Sequence, residues 1–194
     1  YGDCKALTNY TKTLLDAVGV PSYYTVVYGD KMKWDIMEDF SSLQGNHVIL
    51  GIPDNDEITW LECTSQDTPY GYIGKFTNDR DVLIITPEGG KIAHTKVYET
   101  EENTQENIAK VKVDANGNVT ATLKSISKGL QYDDKYLLPK EKQEDIDQHY
   151  KKKWNYINGF SLTDIKLDNN KEEVIFTEEL TLNIPNYANP VSND

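Results

Sequence analysis

Apolar residues recur at a helical period at the start of the chain. Leu7, Tyr10, Leu14, Ala17 and Val18 fall three or four positions apart and Gly19 follows them, which predicts a helix from about Asp3 to Val18 with one buried stripe. The pattern then changes. Ser22 to Tyr28 is rich in aromatic and β-branched residues and stops at Gly29-Asp30, which predicts a strand and a turn. The loop from Lys31 to Gly45 carries Trp34, Met37 and Phe40, so it is expected to cover part of a core or cleft. Strands are predicted for Asn46 to Ile52 and Glu57 to Cys63, joined as a hairpin by Pro53-Asp54-Asn55-Asp56. Thr64 to Thr77, with Pro69, Gly71 and Gly74, reads as an ordered loop before the short strand Val82 to Ile85.

Composition and pattern shift at Pro87-Glu88-Gly89-Gly90, which places a domain boundary there and divides the chain into 1–92 and 93–194. In the second part the expected strands are Lys96 to Thr100, Asn107 to Asp114 and Val119 to Ser127, the last two joined by the turn Asp114-Ala115-Asn116-Gly117-Asn118. A helix near 140–156 follows, and then Ser161 to Asp168 and Glu172 to Ile184 pair across Asn169-Asn170-Lys171. The expected class is α+β. A helix packed on an antiparallel sheet would be followed by a mainly β, sandwich-like accessory domain with one inserted helix.

Charge narrows the partners. Twenty Lys and Arg against 32 Asp and Glu give a net charge of -12, which argues against nucleic acid and anionic membrane surfaces. The basic run Lys151-Lys152-Lys153 is balanced by Glu141, Glu144, Asp145 and Asp147 and reads as a solvated helix face. No apolar run is long enough to span a membrane, and no signal peptide lies in this stretch, although the chain reads as a piece of something longer. Two cysteines, Cys4 and Cys63, make no disulfide framework.

Cys4 stands in the first turn of the first predicted helix. Unpaired backbone N–H groups and the positive end of the helix dipole favour a thiolate at such a position. A thiol nucleophile needs a base, and the base needs an acceptor that fixes its tautomer. Of the three histidines, His47 begins a strand. His94 falls in the expected connector and His149 on a charge-rich helix, and both read as surface residues. Glu62 closes the neighbouring strand, where a cross-strand spacing of about 5 Å suits an imidazole–carboxylate hydrogen bond. Alternation turns Cys63 to the other face as a packing residue.

The motifs Gly2-Asp3-Cys4-Lys5-Ala6, Asn46-His47-Val48-Ile49-Leu50 and Trp60-Leu61-Glu62-Cys63-Thr64-Ser65-Gln66, in that order, resemble the transglutaminase-like superfamily of papain-fold cysteine enzymes. They look most like the Bacteroidetes-type multidomain proteins with flanking β-rich domains. The resemblance covers 1–92 closely and the second half loosely. It implies an N-terminally truncated core, a Cys4–His47–Glu62 triad, a peptide, protein or amide substrate, and protease-like, amidase-like or acyl-transfer chemistry without metal or organic cofactor. It also implies upstream domains in the same parent protein and an exported, periplasmic location in a Gram-negative bacterium. The family's third residue is usually an Asp followed by Pro-Thr, where this chain has Glu62-Cys63-Thr64. A rival reading from another class is a non-catalytic peptide- or glycan-binding module on the same fold, with Tyr23, Tyr24, Trp34, Tyr70 and Tyr72 lining its cleft.

Overall fold

A computed structural model describes residues 2–189, and the chain divides into two compact units, Tyr1–Thr100 and Glu101–Asp194. Strands account for 36% and helices for 17%, which corrects the α+β class expected from the sequence. The described residues are mainly β, with three helices attached to two antiparallel sheets. The helices serve to cover one face of each sheet, the first helix by Thr8 at Val48 and the later one by Ile146 and Tyr150, so the strands set the class.

In the first unit α1 (Cys4–Ala17) precedes β1 (Tyr23–Val27), β2 (His47–Asp54), β3 (Glu57–Leu61), β4 (Asp81–Thr86) and β5 (Gly89–His94). The strands pair antiparallel in the order β3-β2-β1-β4-β5. Asp3 caps α1 by accepting the Lys5 N–H at 3.1 Å, and Gly19 takes the left-handed conformation just beyond its C-terminus. The buried stripe of α1 differs from the expected one. Tyr10, Leu14 and Val18 are exposed, whereas Thr8 is fully buried and Cys4, Leu7, Thr11 and Leu15 are half-buried around it. Thr8 turns inward with its hydroxyl donating to the Val48 carbonyl of the sheet (3.3 Å), whereas the Thr11 hydroxyl is satisfied within the helix at the Leu7 carbonyl (3.0 Å). Apolarity alone therefore does not set the inward face.

Alternation along the strands divides this sheet into two packed faces. One carries the core of Val27, Ile49, Trp60, Ile73, Val82 and Ile84. The other carries Val48 and Leu50 beneath α1. Pro87 and Glu88 form the tight turn of the β4–β5 hairpin, in which Thr86 pairs with Gly89. The Pro/Gly punctuation read as a boundary thus marks a turn inside the sheet, and Lys96 to Thr100 is not a strand.

The second unit holds β6 (Gln105–Val113), β7 (Val119–Ser127), the short α2 (Leu130–Asp133), a 3-10 turn (Leu138–Lys140), α3 (Gln143–Lys153), β8 (Ser161–Asn170) and β9 (Ile175–Ile184). Its strands make one sheet, β6-β7-β9-β8, so the expected sandwich is corrected as well. Among the described residues no second sheet faces it, and Ile146 and Tyr150 of α3 pack on Val119, Leu180, Leu182 and Ile184 instead. Strict alternation in β9 follows from this one-sided burial. The β6–β7 turn is closed by Asp114 Oδ1, which accepts the Asn116 and Asn118 N–H groups at 2.8 and 2.9 Å. Gly117 is required in that turn. Its φ is +79°, and a Cβ there would lie 1.7 Å from the Ala188 carbonyl oxygen.

Candidate functional site

His47 is the first residue of β2 and pairs with Val27 of β1. Its neighbour Asn46 fixes that corner. The Asn46 side chain accepts the Gly29 N–H (2.6 Å) and donates to the Gly29 carbonyl (3.1 Å), while its own N–H donates to Val27 (3.1 Å). Phe76 packs edge-on against the imidazole, with centroids 5.2 Å apart. Gly29 makes this approach possible, since a Cβ there would meet the Phe76 ring at 2.4 Å and the His47 Cβ at 3.0 Å. Behind the corner, the buried Arg80 donates to the carbonyls of Tyr28, Asp30, Lys75 and Asn78 and so pins the segments on both sides of the ring.

Glu62 follows the last residue of β3, where Leu61 pairs with Leu50. One step further it falls opposite Ile49, on the face that also carries His47. The structure brings these two together, with Glu62 Oε2 2.8 Å from His47 Nε2 and side chains 14% and 11% exposed. The other oxygen, Oε1, accepts from the Thr64 N–H (3.0 Å) and hydroxyl (2.5 Å). Burial pushes the Glu62 carboxyl up, but the hydrogen bonds from His47 and Thr64 outweigh it and hold the group below the usual carboxylate range. An ionised carboxylate only accepts, so Nε2 carries the proton of this hydrogen bond, and in the neutral ring that leaves the lone pair on Nδ1. Nδ1 has no hydrogen-bond partner among the described residues.

Cys4 lies in the first turn of α1, half-buried on the side facing the sheet. α1 packs on the Val48 face of the sheet, with Thr8 at the Val48 carbonyl and Cys4 one turn earlier in the helix. Tyr24 is within electrostatic reach. Its phenol is raised first by burial and then by Cys4 and Asp3. No hydrogen bond joins Cys4 to His47. The register turns His47 toward Val27 and Ile49 while α1 covers the Val48 face, so the route from the thiol to Nδ1 passes round the end of the sheet.

Both cysteines are free. Cys63 faces α1, and its thiol is raised by burial against the opposing pull of Thr11 and Thr8. Tyr72 is buried, so it does not line an open cleft. His94 ends β5 and is held between Asp81 (2.7 Å, Nδ1) and Asp79 (3.0 Å, Nε2), with Lys33 paired to Asp79. His149 is half-buried against the Tyr150 ring. The roles of Asn46, Phe76, Thr64 and Arg80 were not anticipated from the sequence. Thr64, two residues beyond Glu62, is the one with a local signal, that of a hydroxyl closing a turn on a carboxylate.

Among the described residues no cluster of three or more His, Cys, Asp or Glu side chains is placed to hold a metal ion, and no helix is long and apolar enough to cross a membrane. Comparison of the chain with protein-family models, curated proteins and solved structures finds no match.

Proposed function

We propose that the first unit is the core of a cysteine-dependent acyl-transfer enzyme that cleaves amide bonds in peptides or related amides. The observation that carries this reading is the His47–Glu62 pair, closed at 2.8 Å with Nδ1 unpaired among the described residues. In the reaction Cys4 Sγ attacks the amide carbonyl carbon and its proton passes to His47 Nδ1. Glu62 accepts from Nε2–H throughout and stabilises the imidazolium. The tetrahedral intermediate expels the amine, which takes the proton from Nδ1 and leaves a thioester on Cys4. Water, deprotonated by the same nitrogen, releases the acid and frees the thiol. The Cys4 backbone N–H, at the start of α1, is positioned to serve as one oxyanion donor. The order and spacing of the three motifs support the same reading.

The test compares peptide-library hydrolysis by the protein with that by Cys4→Ala and His47→Ala. Each substitution is expected to lower turnover by about 100-fold or more. Intact-mass measurement after brief iodoacetamide treatment gives a second readout, with Cys4 labelled ahead of Cys63 and more slowly in His47→Ala. Undiminished turnover in Cys4→Ala, or labelling of Cys4 that ignores His47, would overturn the proposal.

A further inference from the structure

The loop between β1 and β2 borders a groove of about 310 Å³ on the α1 side of the sheet. Its floor is Val26, Leu83 and Ile92, paired side by side across β1, β4 and β5. Its rim is Met37, Phe40 and Leu43. The rim residues are exposed, Leu43 completely so, and the loop does not collapse over them because it is tied in place. Gln44 accepts the Met37 N–H (2.9 Å) and donates to the carbonyls of Met37 (2.9 Å) and Phe40 (2.6 Å), and the Ile36 N–H donates to the Asp81 carbonyl (3.1 Å). Large apolar side chains held in water by a preorganised loop disfavour the free state and favour an apolar occupant.

Position and charge identify that occupant. The rim runs through Gly45 to Asn46 and His47, and the groove lies on the face that α1 and Cys4 occupy. Among the described residues Glu38 is the one charged residue that lines it, so a carboxylate in the occupant is repelled and a cation attracted. The volume, at the small end of ligand-sized clefts, suits one or two side chains.

We propose that this groove is the subsite that selects the substrate of Cys4, taking a bulky apolar side chain from a peptide segment free of acidic residues. The inference rests on the acyl-transfer reading and deepens it. It is tested on the protein with short peptidyl chloromethyl ketones carrying leucine, serine or glutamate next to the reactive group, with modification of Cys4 followed by intact mass. The leucine probe is expected to react about tenfold faster than the serine probe, and the glutamate probe slowest. In the double variant Phe40→Ser, Leu43→Ser the leucine and serine rates should converge. These side chains are exposed, so the core keeps its packing, and an unchanged melting temperature verifies this. Equal rates for leucine and serine probes in the wild type, or a preference that survives the double variant, overturns the groove assignment. Iodoacetamide labelling of the wild type and His47→Ala separates the two ideas. His47-dependent labelling without apolar preference removes only the groove, and apolar preference without His47 dependence removes only the catalytic reading.

Discussion

Each unit buries a charged side chain completely, Arg80 in the first and Glu178 in the second, and the two are satisfied in different ways. Arg80 spreads its donors over carbonyls of irregular segments, at Tyr28, Asp30, Lys75 and Asn78. Burial lowers its pKa, with Asp35, Asp79 and Asp30 opposing from a distance. Glu178 points into the helix–sheet core of its own unit. It accepts from Lys135 and from the Tyr150 hydroxyl (2.7 Å), with Lys153 at 3.9 Å, and Lys135 also donates to Ser127 (2.8 Å). Burial pushes the Glu178 carboxyl up, but these partners pull it below the ordinary value. The planar, five-donor guanidinium suits a site where several loops must be held at fixed angles. A carboxylate between an ammonium and a phenol suits a place where helices must be docked on a strand. The difference separates a brace for the candidate site from a brace for a core.

The largest expected effect is on the core brace. Glu178→Ala leaves the Lys135 ammonium buried without its carboxylate, a defect of about 3–5 kcal/mol. Urea unfolding followed through Trp154, the one tryptophan of the second unit, measures it, and a loss below about 1 kcal/mol would remove the contrast with Arg80. Arg80→Lys keeps the charge but leaves carbonyls at Tyr28, Lys75 and Asn78 without their donors. A cost of about 2–3 kcal/mol is expected, with slower His47-dependent labelling of Cys4. Loss of stability without any change in labelling would show that the brace does not reach the site. Gly29→Ala comes next. Its Cβ drives Phe76 off the imidazole at a cost of about 1–2 kcal/mol, and labelling should fall by more than that loss of stability would suggest.

The sequence exposed these regions unequally. His47 and Glu62 were legible because strand alternation and a short hairpin fix their separation, a local matter of register. The inward stripe of α1 was not, since Thr8 buries a hydroxyl whose acceptor, the Val48 carbonyl, lies 40 positions away in the folded sheet. Nor was the single sheet of the second unit. Strands facing a second sheet and strands covered by α3 share one alternating pattern, and which partner covers the inner face is decided by long-range contacts. Arg80 gave no signal either, because its acceptors are backbone carbonyls up to 52 positions away.

The smallest effect separates the units by sign. His94 is raised above 6.5 by its hydrogen bonds to Asp81 and Asp79. It contributes stability that is fully present below 6.5 and is lost as pH rises through the folded value. His149 is lowered below 6.5, first by burial and then by Lys153. The unfolded chain then binds the proton more readily, so the second unit gains stability as pH rises through that window and loses it on acidification. Thermal unfolding from about pH 5 to 8, read through Trp34 and Trp60 for one unit and Trp154 for the other, should therefore show opposite slopes. His94→Asn should flatten the first and His149→Asn the second. Because His94 is half-exposed, its slope is the shallower and weakens with added salt. At lower pH, Glu62 adds a further acid limb to the first unit, with stability present above 4.5 and lost as pH falls through the depressed folded value. Parallel slopes in the two units, or a first-unit slope untouched by His94→Asn, would mean that the Asp79–His94–Asp81 bridge does not hold in solution.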